Sequence, residues 1–176
     1  MKRKDIKNTI KGYFFIHPTA KLRVREIERT LKLPLPSVIR YCKELEQENI
    51  LSINKTGNVS FYTASRSEKY LLEKKLFNIQ QIYESELINY LKIELSNPAI
   101  VLFGSYAKGE DTEESDIDLY IETSSKKKIS LEKFEKLLKR KLQMFLHKNL
   151  KEIKNPHLAN NIINGITLNN YVEVFK

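Results

Sequence analysis

The spacing of apolar residues predicts three helices in the first 50 residues of this 176-residue chain. Residues 3–15 and 21–31 each place apolar side chains three or four positions apart, which brings them to one helical face. The break 32–35 separates the second segment from a third that begins near Pro36. The apolar stripe of this third segment consists of Val38, Cys42, Leu45 and Ile50. We therefore expect three amphipathic helices, with the thiol of Cys42 used for packing.

Two short β-type runs follow, 51–53 and 59–62, around a polar turn that contains Gly57 and Asn58. Gly and Asn tolerate the positive φ angles of a tight hairpin, so the pattern predicts an antiparallel pair. Three helices and a hairpin are the order of a winged helix-turn-helix, with the third helix as the recognition helix. In this pattern residues 1–65 resemble the DNA-binding domains of small prokaryotic regulators. Many winged helices bind proteins instead, and the fold does not decide between the two.

Residues 66–95 contain neither Gly nor Pro and carry apolar residues at helical spacing, which predicts one or two helices. Pro98 ends this stretch. The helices could pack against a neighbouring domain or form the seam of a homodimer, and the pattern favours neither. We interpret residues 66–97 as a helical connector.

The most informative spacing begins with the apolar run 99–103, which predicts a buried strand that enters a turn at Gly104 and Ser105. After ten intervening residues, 106–115, come Asp116 and Asp118, with one apolar residue between them. Side chains alternate along a strand, so the two carboxylates would project together on the face opposite that residue. Adjacent carboxylates repel each other, and Mg²⁺ or Mn²⁺ bound between them removes the repulsion.

The turn itself suits a phosphate. Gly104 lets the backbone approach a ligand closely, and Ser105 offers a hydroxyl and an N–H at the expected start of a helix. Gly109 permits a second sharp turn, and Lys108 is either a further cation for phosphate or a solvated loop lysine.

With Gly-Ser, ten residues and Asp-x-Asp in place, the stretch resembles the DNA polymerase beta superfamily of nucleotidyltransferases. In size it is similar to the minimal nucleotidyltransferases of archaea and bacteria. The resemblance implies that Gly104 and Ser105 hold the triphosphate of an NTP substrate, and that Asp116 and Asp118 hold the metal ions as catalytic residues. It also implies a toxin-like helical protein as an alternative partner, because such partners are common in the family.

Ser130 is the expected N-cap of a helix over 131–140, whose basic end includes Arg140, and residues 141–147 follow as a strand. In the family, this strand normally supplies a third metal-binding carboxylate. The matching position here is Gln143, so the resemblance leaves the catalytic activity open.

The end of the chain predicts a helix over 157–163 and an edge strand over 171–175. Glu173 on that strand is either a substitute carboxylate or an outward-facing edge residue. His147 and His157 have no Cys or His at ligand spacing, so we interpret both as surface or packing residues.

The positive charge is concentrated at the N-terminal end. Of a net charge of +9, residues 1–65 carry 13 Lys and Arg against 6 Asp and Glu. A basic domain favours the phosphates of DNA or RNA. The expected contacts lie on the second helix, the recognition helix and the wing tip: Arg23, Arg25, Ser37, Arg40, Tyr41, Lys43 and Lys55.

Other classes of protein are disfavoured by composition. No apolar run approaches the roughly 18 residues of a membrane span, and the basic N-terminus lacks the apolar segment of a signal peptide. A single cysteine cannot form an internal disulfide. We therefore expect a cytoplasmic protein without membrane contact.

The sequence as a whole predicts an α+β protein: a winged helix-turn-helix over 1–65, a helical connector over 66–97, and a nucleotidyltransferase-like domain over 98–176 with a small mixed sheet flanked by helices. The leading hypothesis is metal-dependent transfer of a nucleoside monophosphate from an NTP to a hydroxyl acceptor that the winged helix locates. The alternative is a non-catalytic DNA-binding regulator or antitoxin-type protein whose second domain senses nucleotide.

Overall fold

A computed structural model of the chain describes residues 5–174, in a mixed α and β structure. It divides into two compact units, one ending at Phe77 and the other beginning at Asn78. Arg3 and Lys4 of the first predicted helix, and Phe175 of the last predicted strand, lie outside the described residues. None of the described helices is both long and apolar enough to cross a membrane.

The N-terminal unit contains three helices, a hairpin and the first part of a long helix. The Asp5 carboxylate caps the first helix by accepting the Asn8 N–H at 3.0 Å. The bounds are α1 Ile6–Ile16, α2 Val24–Leu31, α3 Leu35–Gln47, β1 Leu51–Thr56, β2 Val59–Ala64 and α4 Glu68–Glu84. These helices and the hairpin lie where the apolar spacing predicts them.

The core of this unit forms around α3. Its predicted apolar stripe, Val38, Cys42, Leu45 and Ile50, is fully buried. Side chains of α1 and α2 complete the cluster, and the Tyr70 hydroxyl of α4 donates to the Phe14 carbonyl at 2.9 Å. The hairpin closes with Thr56 opposite Val59, and Gly57 in the turn has φ +59°.

The C-terminal unit contains the remainder of α4 and a four-stranded sheet. The strand order is β5-β4-β3-β6, with β4 and β5 parallel and the other pairs antiparallel. The bounds are α5 Leu87–Glu94, β3 Ala99–Phe103, α6 Gly104–Lys108, β4 Ile117–Glu122, α7 Glu132–Leu138, β5 Leu142–His147, a 3₁₀ turn Leu150–Glu152, α8 Pro156–Ile163 and β6 Ile166–Asn169.

The sheet is covered on both faces. One face carries Ile117, Leu119 and Ile121 of β4, which pack with α5 and α7 in the larger cluster. The other face carries Tyr120 and packs with the 3₁₀ turn and α8. Asp118 alternates with the first set and therefore shares the second face with Tyr120.

Three expectations for the end of the chain are wrong. The N-cap residue of α7 is Leu131, which makes no side-chain hydrogen bond to the helix. Ser130 is therefore not the N-cap. The helix ends at Leu138, so Arg140 lies beyond it instead of in its last turn, and its side chain is 8% exposed. The last strand is β6, and residues 171–174 are not in a strand. The apolar run after residue 170 does not form the edge strand, because β6 pairs with β3 and its Leu168 fills the core position there.

Candidate active site

The predicted Gly-Ser turn lies directly against the second aspartate. Phe103, the last residue of β3, pairs with Asp118 of β4, and the chain then turns into α6 at Gly104 with φ +74°. A Cβ atom at Gly104 would overlap the Asp118 Oδ2 atom and would lie 3.3 Å from its Cγ. Glycine is favoured here, because the backbone conformation is left-handed and a larger residue would have to displace the Asp118 carboxylate.

The two aspartates differ in burial. Asp116 is exposed and immediately precedes β4, whereas Asp118 is half-buried on the strand. Burial raises the pKa of the Asp118 carboxyl above its ordinary value, and the neighbouring Asp116 carboxylate raises that pKa further. Both effects disfavour the ionised form of Asp118. A cation bound at the pair would favour the ionised form instead.

Gln143 lies beside this pair on the adjacent strand. It is the register partner of Asp118 in the parallel pairing of β4 with β5, and its side chain is exposed. Parallel register partners project on the same face of a sheet, so the Gln143 amide lies on the same face as Asp118.

Glu173 lies at the other end of the sheet. It lines a cleft together with Ala99 and Glu122, which pair with each other at the opposite end of β4 from Asp118. It therefore cannot be the substitute carboxylate. Among the described residues, no group of three or more His, Cys, Asp or Glu side chains is arranged to hold a metal ion.

The remaining predicted phosphate residues follow Gly104 in the short helix α6. Ser105 is half-buried in its first turn and Lys108 is exposed in its last. Gly109 ends the helix with φ +76°, the left-handed conformation that the sequence indicates. The chain thus makes two glycine turns, at Gly104 and at Gly109, within six residues.

A cleft of about 660 Å³ opens beside Asp116. One wall is the loop that precedes β4, and the other is α7 with the residues that lead into β5. The charged side chains of the lining have both signs, and they are Glu113, Glu114, Asp116, Glu132, Glu135, Lys136, Lys139, Arg140 and Lys141.

A buried polar cluster that sequence reasoning missed lies beneath this loop. Asn78 Nδ2 donates to Asp111 Oδ1 at 2.8 Å and to the Tyr106 carbonyl at 3.0 Å. The Arg140 Nη2 atom lies 3.5 Å from Asp111 Oδ2. Asp111 is one of four acidic residues in a short stretch, so its sequence context does not distinguish it from its exposed neighbours.

The residues expected to contact nucleic acid lie in the N-terminal unit and differ in exposure. Arg40 is 62% exposed, and its guanidinium stacks over the Tyr41 ring at 4.3 Å. Arg23 lies over the Phe61 ring at 5.3 Å. Ser37 and Tyr41 are only half-buried, with Tyr41 packed on the core. The exposed members of the set are Arg23, Arg25, Arg40, Lys43 and Lys55.

Comparison with known proteins identifies the family of the C-terminal part of the chain. The family described as "Nucleotidyltransferase domain" matches residues 84–168. A protein of Methanocaldococcus jannaschii, named "Putative protein adenylyltransferase", is 35% identical over 96 residues, which is 51% of this chain and 92% of that protein. The chain therefore belongs to the nucleotidyltransferase domain family. No solved structure matches it at a significant level.

Proposed function

We propose that the C-terminal unit transfers a nucleoside monophosphate from an NTP to a hydroxyl group, with a divalent metal bound at Asp116 and Asp118. The observation that carries this proposal is the contact between Gly104 and Asp118. It brings the turn proposed to hold phosphate within van der Waals distance of the side chain proposed to hold metal. An NTP on the turn would have its phosphate oxygens beside both carboxylates.

The side chains present fit one magnesium ion brought in with a nucleotide. Mg²⁺ is commonly held by one or two carboxylates plus substrate phosphates and water, rather than by a complete protein cage. Asp116 and Asp118 supply two carboxylates. Burial, and after it repulsion from Asp116, raises the pKa of Asp118, and a bound cation would favour its ionised form. When bound, the metal would neutralise charge on the phosphates during transfer.

The residues of the chain would then act chiefly by positioning. The Gly104 backbone and the Ser105 hydroxyl and N–H would orient the triphosphate, and Lys108 would add positive charge at its outer end. Gln143 can accept a metal bond through its amide oxygen, but it cannot take the proton of an attacking hydroxyl. Transfer would therefore be slower than with a carboxylate at this position.

For the acceptor, we propose a hydroxyl side chain of a protein, and ATP as the donor. The name of the relative from M. jannaschii supports this choice. The mixed charges of the cleft beside Asp116 also favour it, because carboxylates on the cleft walls would repel a nucleic acid backbone.

For the N-terminal unit, we propose a winged helix-turn-helix that binds nucleic acid in the cytoplasm. The support is the order of its helices and hairpin, and the exposed basic side chains on α2, α3 and β1. In this arrangement α3 would enter a major groove and Lys55 would contact phosphate at the wing.

A second function is favoured by the amide at position 143. With two carboxylates only, the unit could bind NTP and metal without transfer, and the chain would be a nucleotide-sensing regulator or antitoxin-type protein. A helical protein or a second copy of the chain would then be its partner.

Incubation of the full chain with α-labelled ATP and Mg²⁺ or Mn²⁺, in the presence of cell protein or cell RNA, tests these functions. We expect label on protein, and none with the Asp116→Asn, Asp118→Asn variant. Stabilisation of the wild type by nucleotide and metal without any transfer would support the sensor instead. Equal stabilisation of the double variant would place the nucleotide elsewhere.

A further inference from the structure

The buried cluster of Asn78, Asp111 and Arg140 lies between the elements that carry the proposed site. Asp111 and Asn78 are each 2% exposed, and Arg140 is 8% exposed. Asn78 belongs to α4, Asp111 to the loop between α6 and β4, and Arg140 to the turn before β5. One charged pair with its amide partner thus joins three segments that are distant in sequence.

The loop that carries Asp111 runs from one half of the proposed site to the other. At its start, the Glu110 N–H donates to the Ser105 carbonyl at 3.0 Å. Further along, the Thr112 N–H donates to the Ser115 hydroxyl at 2.9 Å and closes a turn just before Asp116. Asp111 lies between these two fixed points, so its position sets how the turn approaches β4.

Arg140 connects the same loop to the strand that carries Gln143. Its Nη1 atom donates to the Lys139 carbonyl at 2.9 Å, which holds the backbone of the turn. The next residue, Lys141, accepts the Ile117 N–H at 2.8 Å, and Ile117 stands between the two aspartates. Displacement of Arg140 would therefore shift the backbone on which Asp116 and Gln143 are held.

A buried ion pair is a poor source of stability, because desolvation of both charges offsets their attraction. Apolar residues of similar size would commonly be as stable or more so. Resting on the proposed function, we propose that Asp111 and Arg140, with Asn78, are positioning residues that hold Asp116 and Gln143 in register with the Gly104 turn. In this role the three side chains act through Asp116 and Gln143, and not as ligands of the metal or of the triphosphate.

The test compares single and double variants of the full chain. Asp111→Asn removes the Asp111 carboxylate from the buried Arg140 charge, and we expect a lower melting temperature and at least about a 10-fold loss of Mg·ATP affinity. The Asp111→Val, Arg140→Met variant should recover the melting temperature without recovering that affinity. Leu91→Ala, a core deletion in α5 of the same unit, is the control, and it should lower the melting temperature while the affinity stays within about 2-fold.

Hydrogen exchange of the nucleotide-free protein separates this proposal from the proposed function. In Asp111→Asn, amides of residues 112–118 and 140–143 should exchange faster, and amides of α5 should not. The positioning role would be overturned if Asp111→Asn had the Mg·ATP affinity and the hydrogen-exchange rates of the wild type. It would also be overturned if the double variant recovered both the Mg·ATP affinity and the melting temperature. A wild type that binds no Mg·ATP would overturn the proposed function, and the exchange rates would still decide on the positioning role.

Discussion

The two units hold their proposed functional side chains in different ways. In the N-terminal unit these are basic residues on the surface, such as Arg40 and Lys55, which can reorient without disturbing the core. In the C-terminal unit, Asp118 is half-buried and touches the position of a missing Cβ at Gly104. A surface that attracts phosphate by charge tolerates small displacements, whereas a metal and phosphate site depends on fixed distances. Substitutions should therefore act gradually in the first unit and abruptly in the second.

The largest effect is expected for Gly104→Ala. The new methyl group would overlap the Asp118 carboxylate, and φ +74° would cost about 1–2 kcal/mol for a residue with a Cβ. We expect nucleotidyl transfer and Mg·ATP binding to fall by about 100-fold or more, because a displacement near 1 Å has that effect in a preorganised site. Transfer of label from ATP and isothermal titration would measure the two losses.

The N-terminal unit offers a matched control. Gly57 has φ +59°, and a Cβ there would have no heavy atom within 4 Å. Gly57→Ala thus carries the backbone strain without the contact, so it should lose about 1 kcal/mol of stability and keep full transfer activity. If both variants behave alike, the contact with Asp118 has no special role and the contrast between the units fails.

Gln143→Asp should have the next largest effect, and in the opposite direction. A carboxylate beside Asp118 would complete a third metal ligand and could accept the proton of the attacking hydroxyl. We expect transfer to rise by about 10-fold, or to become measurable, with little change in nucleotide affinity. Gln143→Asn keeps the amide and is the control. A wild type that already transfers rapidly, with no gain in Gln143→Asp, would mean that two carboxylates suffice.

Most helices and strands were predictable from the sequence because burial imposes a periodic apolar pattern on each of them. The candidate site could also be predicted from the spacing of Gly104, Asp116 and Asp118. A glycine turn after a buried strand, followed by two aspartates at the start of the next strand, is typical of a phosphate and metal site.

The cluster around Asp111 could not be predicted from the sequence. Asp111 is buried, unlike its acidic neighbours in the loop, because it contacts Asn78 on α4 and Arg140 before β5. The position of the last strand could not be predicted for a similar reason. Two apolar runs, 166–169 and 171–175, could each form the edge strand, and only the packing of Leu168 in the core distinguishes them.

In the N-terminal unit, Arg40→Ala with Lys55→Ala should weaken duplex binding by about 10-fold and reduce the salt slope by about two counterions. The loss should be similar for different sequences if both residues contact phosphate. Lys126→Ala with Lys128→Ala removes two exposed lysines from the C-terminal unit and serves as the control. Fluorescence anisotropy over a salt series would measure both. Equal affinity in all three proteins would exclude this face as the nucleic-acid surface.

The smallest effect concerns Cys42, whose side chain is completely buried in the core of the N-terminal unit. Burial raises the pKa of its thiol to about 12, well above the roughly 8.5 of a free thiol. The folded state therefore retains a proton that the unfolded chain loses, so the stability is full below the unfolded pKa and falls as the pH rises towards the folded one. Between pH 8 and pH 10, urea unfolding should show a loss about 1–2 kcal/mol greater for the wild type than for Cys42→Ala. Parallel pH profiles would mean that the thiol is accessible, and that the N-terminal unit, like the C-terminal one, leaves a chemically active group open to solvent.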